Sequence, residues 1–176
     1  KALAANKNSK LPKSFFAWDE MLAMNKVGFF PYTPATQMLW GLDTAIEMLH
    51  EEGLDNVFAR HDRLAEATRR AVKHWGLEIM VRDAKYYSPT VTAVMMPEGH
   101  DGDAFRSLAL ETFNIPYGAS FGPYVGKYFR IGHLGDLNEL MLLGGIAGAE
   151  MAMRDVGIKG ELGSGVGAAQ AYLRSA

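Results

Sequence analysis

The sequence predicts an α+β domain, a mostly antiparallel sheet covered by helices on one face, preceded by a segment that does not belong to it. Three observations carry this. From Leu54 onward the hydrophobic period switches in the order α-β-β-α-β-α, with connections too short for a large parallel sheet. A loop rich in Gly and Pro, residues 116–126, leads into the apolar run Tyr128-Phe129-Arg130-Ile131. Residues 1–52, by contrast, offer helical patterns and a proline-broken aromatic stretch but no strand that could join the sheet.

The first residues, Lys1-Ala2-Leu3-Ala4-Ala5, read as helix entered without a cap or an initiator Met, as in a piece of a longer polypeptide. Ser14–Met24 places Phe15, Trp18, Met21 and Leu22 on one side of a second helix. Pro31 and Pro34 force Val27–Pro34 into an extended form. A helix then starts near Thr33 or Pro34, where proline suits the first turn, and Gly53 ends it after Glu52.

Leu54–Trp75 is the clearest helix. Val57, Phe58, His61, Leu64, Ala65, Thr68, Ala71 and Val72 recur at spacings of three and four, and most of the arginines fall elsewhere on the wheel. His61 lies in the apolar stripe, as a satisfied buried histidine would. Leu77–Val81 and Thr90–Met96 read as strands. Asp101 suits the cap of a helix to Phe113, and Asp136 that of a helix through Met153. Gly144, Gly145 and Gly148 suggest close packing of that last helix. The glycines from 157 to 167 read as a flexible connection to a short terminal helix near Ala168–Arg174.

Composition narrows the function. The 176 residues are 48% hydrophobic and 22% charged, ordinary for a globular protein with a core. A net charge of -2 leaves no basic footprint for nucleic acid or an anionic membrane, and no run of about 20 apolar residues spans a bilayer. Without cysteine there is neither a disulfide framework nor a thiolate metal site, which fits a cytoplasmic protein. The five histidines, at positions 50, 61, 74, 100 and 133, lack metal-ligand spacing. The glycines at 163, 165 and 167 form neither a dinucleotide fingerprint nor a phosphate loop.

Arg130 is the residue with chemistry to explain. A guanidinium in an apolar strand needs an anionic partner, and its planar fork matches a carboxylate through two parallel hydrogen bonds. Three readings stand at this point: a structural Asp or Glu supplies the anion, Arg130 lies on the solvent face of an edge strand, or a small-molecule ligand supplies the anion, with the aromatic-walled loop Pro116–Gly126 lining its site.

Pro31-Tyr32-Thr33-Pro34-Ala35-Thr36, Ser88-Pro89-Thr90-Val91-Thr92, the glycine-rich loop and Phe129-Arg130-Ile131-Gly132-His133-Leu134-Gly135 together resemble, in order and spacing, the C-terminal part of class V aminotransferases. The resemblance is to the serine–glyoxylate and alanine–glyoxylate group and covers essentially the whole chain. It implies the small C-terminal α+β domain (53–176) of a fold-type-I pyridoxal-phosphate enzyme. Residues 1–52 are then the tail of the large cofactor domain and a connecting helix. It implies a homodimer formed through the large domain, and small amino-acid and keto-acid substrates.

By the same resemblance Arg130 receives the substrate α-carboxylate, and Thr33, with Tyr32 beside it, reaches the cofactor phosphate of the other subunit. Phe30 stands where some relatives have a tyrosine. A helix cap is the structural alternative for Thr33. The Schiff-base lysine lies in a Ser-x-Lys motif that Lys1, Lys7, Lys10 and Lys13 do not fit, so no catalytic residue is expected in this chain. The scaffold also hosts lyases, hydrolases and desulfurases, the last disfavoured by the lack of cysteine. A stand-alone carboxylate-binding module is the alternative of a different class.

Overall fold

The computed structural model describes residues 1–175 and divides into two compact units, Lys1–Glu51 and Glu52–Ala176. The first contains α1 (Ala2–Asn6), a 3-10 turn at Ser14–Phe16, α2 (Trp18–Asn25) and most of α3 (Thr36–Glu52). Ala17, in extended backbone, separates the turn from α2, so the single helix expected from Ser14 is broken in two. Neither α1, α2 nor α3 has a buried residue. Met38, Trp40, Leu42 and Ile46 of α3 are all exposed. About fifty residues with so little apolar burial do not make a core of their own.

The second unit has the core. α4 (Leu54–His74) buries Val57, His61, Leu64, Ala65, Thr68, Ala71 and Val72, the stripe its periodicity predicts, while Leu54 and Phe58 at its start stay exposed. It packs along α7 (Ser164–Ser175) and α6 (Glu139–Asp155). β1 (Val91–Met95) pairs antiparallel with β2 (Tyr128–Gly132), Ala93 opposite Arg130. The strand expected at Leu77–Val81 contracts to a single bridge, Ile79 to Val94, flanked by bonds from Met80 N–H to the Ala93 carbonyl and from Met95 N–H to the Glu78 carbonyl. On the other side, Gly118 bridges Arg130. Phe105 of α5 (Gly102–Phe113), Tyr117 and Phe129 form an aromatic knot with ring centroids 4.3–5.7 Å apart.

Asp101 caps α5 as expected, accepting from the Asp103 N–H at 2.8 Å. α6 differs: its cap is Asn138, accepting from Met141 N–H at 2.9 Å, not Asp136. The reason lies in α4. Arg60 Nη1 donates to the carbonyls of Gly135 (2.7 Å) and Leu137 (3.3 Å), and Gly135 takes a φ of +98°. The Leu137 carbonyl, which a helix capped at Asp136 would use as an intrahelical acceptor, faces Arg60 instead, and the helix begins two residues later.

The second correction concerns the glycines before the last helix. Gly165 and Gly167 are not connection but part of α7. Glu150, buried on α6, accepts from the N–H groups of Gly163 (2.6 Å), Gly165 (2.6 Å) and Val166 (3.2 Å), and from Trp75 Nε1 (2.9 Å). A carboxylate from another helix thus satisfies the amides that a helix N-terminus leaves unpaired. A Cβ on Gly165 would collide with Trp75 and Glu150, which is why the position is glycine. Of the α6 glycines, Gly148 faces Ile115 with no room for a Cβ, whereas Gly144 and Gly145 have open space.

Candidate functional site

Arg130 lies on the face of β2 that alternation leaves away from the core. Phe129, Ile131 and then His133 are buried, while Arg130 is partly buried and Gly132 exposed. The Pro116–Gly126 loop folds back over that outer face. Gly118 exchanges two backbone hydrogen bonds with Arg130, at 2.9 and 3.0 Å. Arg130 Nε donates to the Ala119 carbonyl at 2.8 Å, and its Cζ stands 4.5 Å from the centroid of the Phe121 ring.

No carboxylate among the described residues pairs with Arg130, and its two Nη groups have no hydrogen-bond partner among them. Of the three readings open from the sequence, an intramolecular Asp or Glu is not what the fold provides; Arg130 lies on the outer face of the strand, covered in part by the Pro116–Gly126 loop. The free Nη edge presents two parallel donors, the geometry that a carboxylate accepts.

The strand end beyond Arg130 is held by two histidines. His133 is fully buried: Nδ1–H donates to the Pro89 carbonyl (2.9 Å), so Nε2 accepts from the Thr92 hydroxyl (2.9 Å). Burial, with the Arg69 charge adding to it, lowers its pKa to about 4. His61 donates through Nδ1 to Val57 O (2.7 Å) and accepts the Gly135 N–H at Nε2 (3.1 Å). Its neighbour Arg60 forks onto both oxygens of Glu52, at 2.6 and 2.7 Å, and this hydrogen bonding holds the Glu52 carboxyl below its ordinary range. Both edges of the Gly135 peptide are thus fixed by consecutive residues of α4. His61 is a satisfied buried histidine, as its place in the apolar stripe suggests. The fastening by His133 has its signal in the alternation of buried Phe129, Ile131 and His133.

Thr33 and Tyr32 lie in the first unit, on the segment before α3, which turns at Val27–Gly28 and bends at Pro31–Tyr32 instead of running extended as the two prolines suggest, and both are exposed. Tyr32 Oη shares a hydrogen bond with Ser14 Oγ at 3.1 Å, and its ring packs on Phe15 with centroids 5.1 Å apart. Thr33 has no side-chain partner among the described residues. It is not a helix cap either, because α3 begins three residues later at Thr36. No set of His, Asp or Glu side chains among the described residues could hold a metal ion, and no helix among them is long and apolar enough to cross a membrane.

A small antiparallel sheet covered by helices has the form of the C-terminal portion of a fold-type-I pyridoxal-phosphate aminotransferase. No protein-family profile matches the chain. The serine–glyoxylate aminotransferase of Hyphomicrobium methylovorum is 49% identical over 98% of the chain, and the L-aspartate–glyoxylate aminotransferase of Paracoccus denitrificans 44% identical over 99%. The crystal structure of ureidoglycine–glyoxylate aminotransferase from Bacillus subtilis superposes on 97% of the chain with a TM-score of 0.84 at 28% identity. The chain spans 43–44% of the length of each of these three. It belongs to the class V aminotransferases, in the group of the serine–glyoxylate and alanine–glyoxylate enzymes, and corresponds to their C-terminal part.

Proposed function

We propose that this chain is the C-terminal part of an aminotransferase that moves an amino group from serine or alanine to glyoxylate, and that Arg130 receives the α-carboxylate of both donor and acceptor. Residues 1–52 serve as the tail of the cofactor domain and the connecting helix, and residues 53–176 as the small domain. The intact protein acts as a cytoplasmic homodimer through its large domain. The free Nη edge of Arg130 is the observation that carries this reading. Glyoxylate recurs in the names of the relatives, whereas the donors named are serine, L-aspartate and ureidoglycine. The constant group across all of them is a carboxylate, the group that a bidentate arginine recognises.

Class V aminotransferases use pyridoxal phosphate, which when bound supplies the electron sink that makes the substrate α-proton labile. The residues here fit one end of that cofactor. Thr33 offers a hydroxyl with no partner among the described residues, on backbone that leads into the N-terminus of a 17-residue helix, a setting suited to phosphate. Tyr32 adds a second hydroxyl whose Ser14 bond is exposed and exchangeable. Lys1, Lys7, Lys10 and Lys13 do not stand in the Schiff-base motif, so this part contributes substrate orientation and phosphate contact but not the proton-shuttling amine, and on its own it does not transaminate.

Arg130→Lys in the intact enzyme tests the reading. Lysine keeps the charge and loses the fork, so kcat/KM falls for both the amino donor and glyoxylate by roughly 1.5–3 kcal/mol of transition-state stabilisation. Unchanged values for both substrates would return Arg130 to a structural role.

A further inference from the structure

A long arginine side chain has many rotamers, but three features of the loop that covers Arg130 fix its guanidinium. The Ala119 carbonyl accepts from Nε at 2.8 Å. Gly118 leaves the space in which the side chain lies: a Cβ there would stand 3.0 Å from Nε and 3.2 Å from Cζ. The third is Phe121, whose ring faces the guanidinium with Cζ 4.5 Å from the centroid. One hydrogen bond at Nε fixes a point, and a ring against the plane fixes the rotation about it.

Phe121 is 60% exposed, which by itself describes a stray surface aromatic. Its backbone argues otherwise. The Phe121 N–H donates to the phenolic oxygen of Tyr128 at 3.0 Å, and Tyr128 is buried on β2 two residues before Arg130. Ser120, also buried, accepts the Gly126 N–H at 2.8 Å and closes the loop. Ring and guanidinium therefore hang from the same strand, and their separation is set by β2 itself.

We infer that Phe121 is a positioning residue for Arg130, its ring holding the guanidinium plane so that only the Nη edge meets a substrate carboxylate. The inference rests on the reading of Arg130 as a carboxylate receptor. The ring adds a cation–π contact and displaces water from one side of the ion, which strengthens its pairing with an anion. A leucine at 121 keeps apolar bulk but has no π-face; a tyrosine restores the face.

The test uses the intact holoenzyme and its Phe121→Leu, Phe121→Met, Phe121→Tyr and Arg130→Ala variants. KM and kcat are measured for glyoxylate and the amino donor, and the dissociation constant of acetate, an unreactive monocarboxylate, by calorimetry. In Phe121→Leu and Phe121→Met both KM values and the acetate constant rise about two- to fivefold, the size of an exposed cation–π contact, with the loss falling on KM rather than kcat. Phe121→Tyr stays within about twofold of the parent. A lowered melting temperature with unchanged KM and acetate binding in whichever of the Leu and Met variants folds would overturn the inference. If Arg130→Ala weakens acetate binding and the Phe121 variants do not, Phe121 alone is wrongly assigned. If Arg130→Ala leaves acetate binding unchanged, the carboxylate reading falls and this inference with it.

Discussion

His133 shows how a single buried side chain ties the site to the conditions in which the protein is stable. It joins Pro89, which precedes β1, and Thr92, on β1, to the end of the strand carrying Arg130. Its Nε2 must stay unprotonated to accept from Thr92, and burial depresses its pKa from 6.5 to about 4. The sign follows directly. Below pH ~6.5 the unfolded chain takes up a proton that the folded chain refuses, so folding becomes less favourable as pH falls from ~6.5 toward ~4, and the effect is absent above that window. The full depression corresponds to a loss of about 3 kcal/mol by pH 4. Urea denaturation of the parent and of His133→Asn, at pH 7.5 and pH 5, measures it. The variant is less stable at pH 7.5 but loses less on acidification; identical pH slopes would mean that His133 is protonated in the folded state without penalty.

Among the helices, α7 illustrates which features sequence patterns reveal and which they hide. Helix periodicity located α4 to within a residue, because its amphipathic stripe is long and regular. It missed the first turn of α7, because the groups that stabilise that turn, Glu150 and Trp75, are distant in sequence and invisible to any local window. The start of α6 is hidden for a similar reason: Arg60, more than seventy residues away, takes the Leu137 carbonyl that a helix capped at Asp136 would use. At the site, Arg130 stood out as a charge in an apolar run. The Ala119 carbonyl and the Phe121 ring did not, since neither residue type announces a contact made by loop folding. The glycines of α7 convert this into a measurement. Gly165→Ala forces a Cβ into Trp75 and Glu150 and lowers stability by about 1–3 kcal/mol, as overpacking does. Gly167→Ala, in the same helix with open space around it, raises stability by about 0.5–1 kcal/mol. Denaturant midpoints of opposite sign for the two are expected; equal effects would mean that the Glu150 contact does not fix the helix start.

At the scale of the whole molecule the two units differ in kind. Residues 52–176 bury a core and hold Arg130, whereas residues 1–51 expose most of their apolar side chains and hold Thr33. That contrast makes Thr33 a probe of the assembled enzyme rather than of local folding. It caps no helix and bonds to no described residue, so replacing it removes nothing that stabilises the chain itself. Valine preserves the β-branched shape and deletes only the hydroxyl. In the intact enzyme, Thr33→Val is expected to weaken retention of pyridoxal phosphate by roughly 1.5–3 kcal/mol, the scale of one hydrogen bond to an anion. The melting temperature without cofactor should match the parent, and the stabilisation gained on adding cofactor should shrink, because a ligand raises stability only in proportion to its affinity for the folded state. Melting curves across a cofactor titration separate the alternatives. A drop in stability of about 1 kcal/mol at every cofactor concentration, with an unaltered dissociation constant, would assign Thr33 a capping role that the start of α3 at Thr36 argues against.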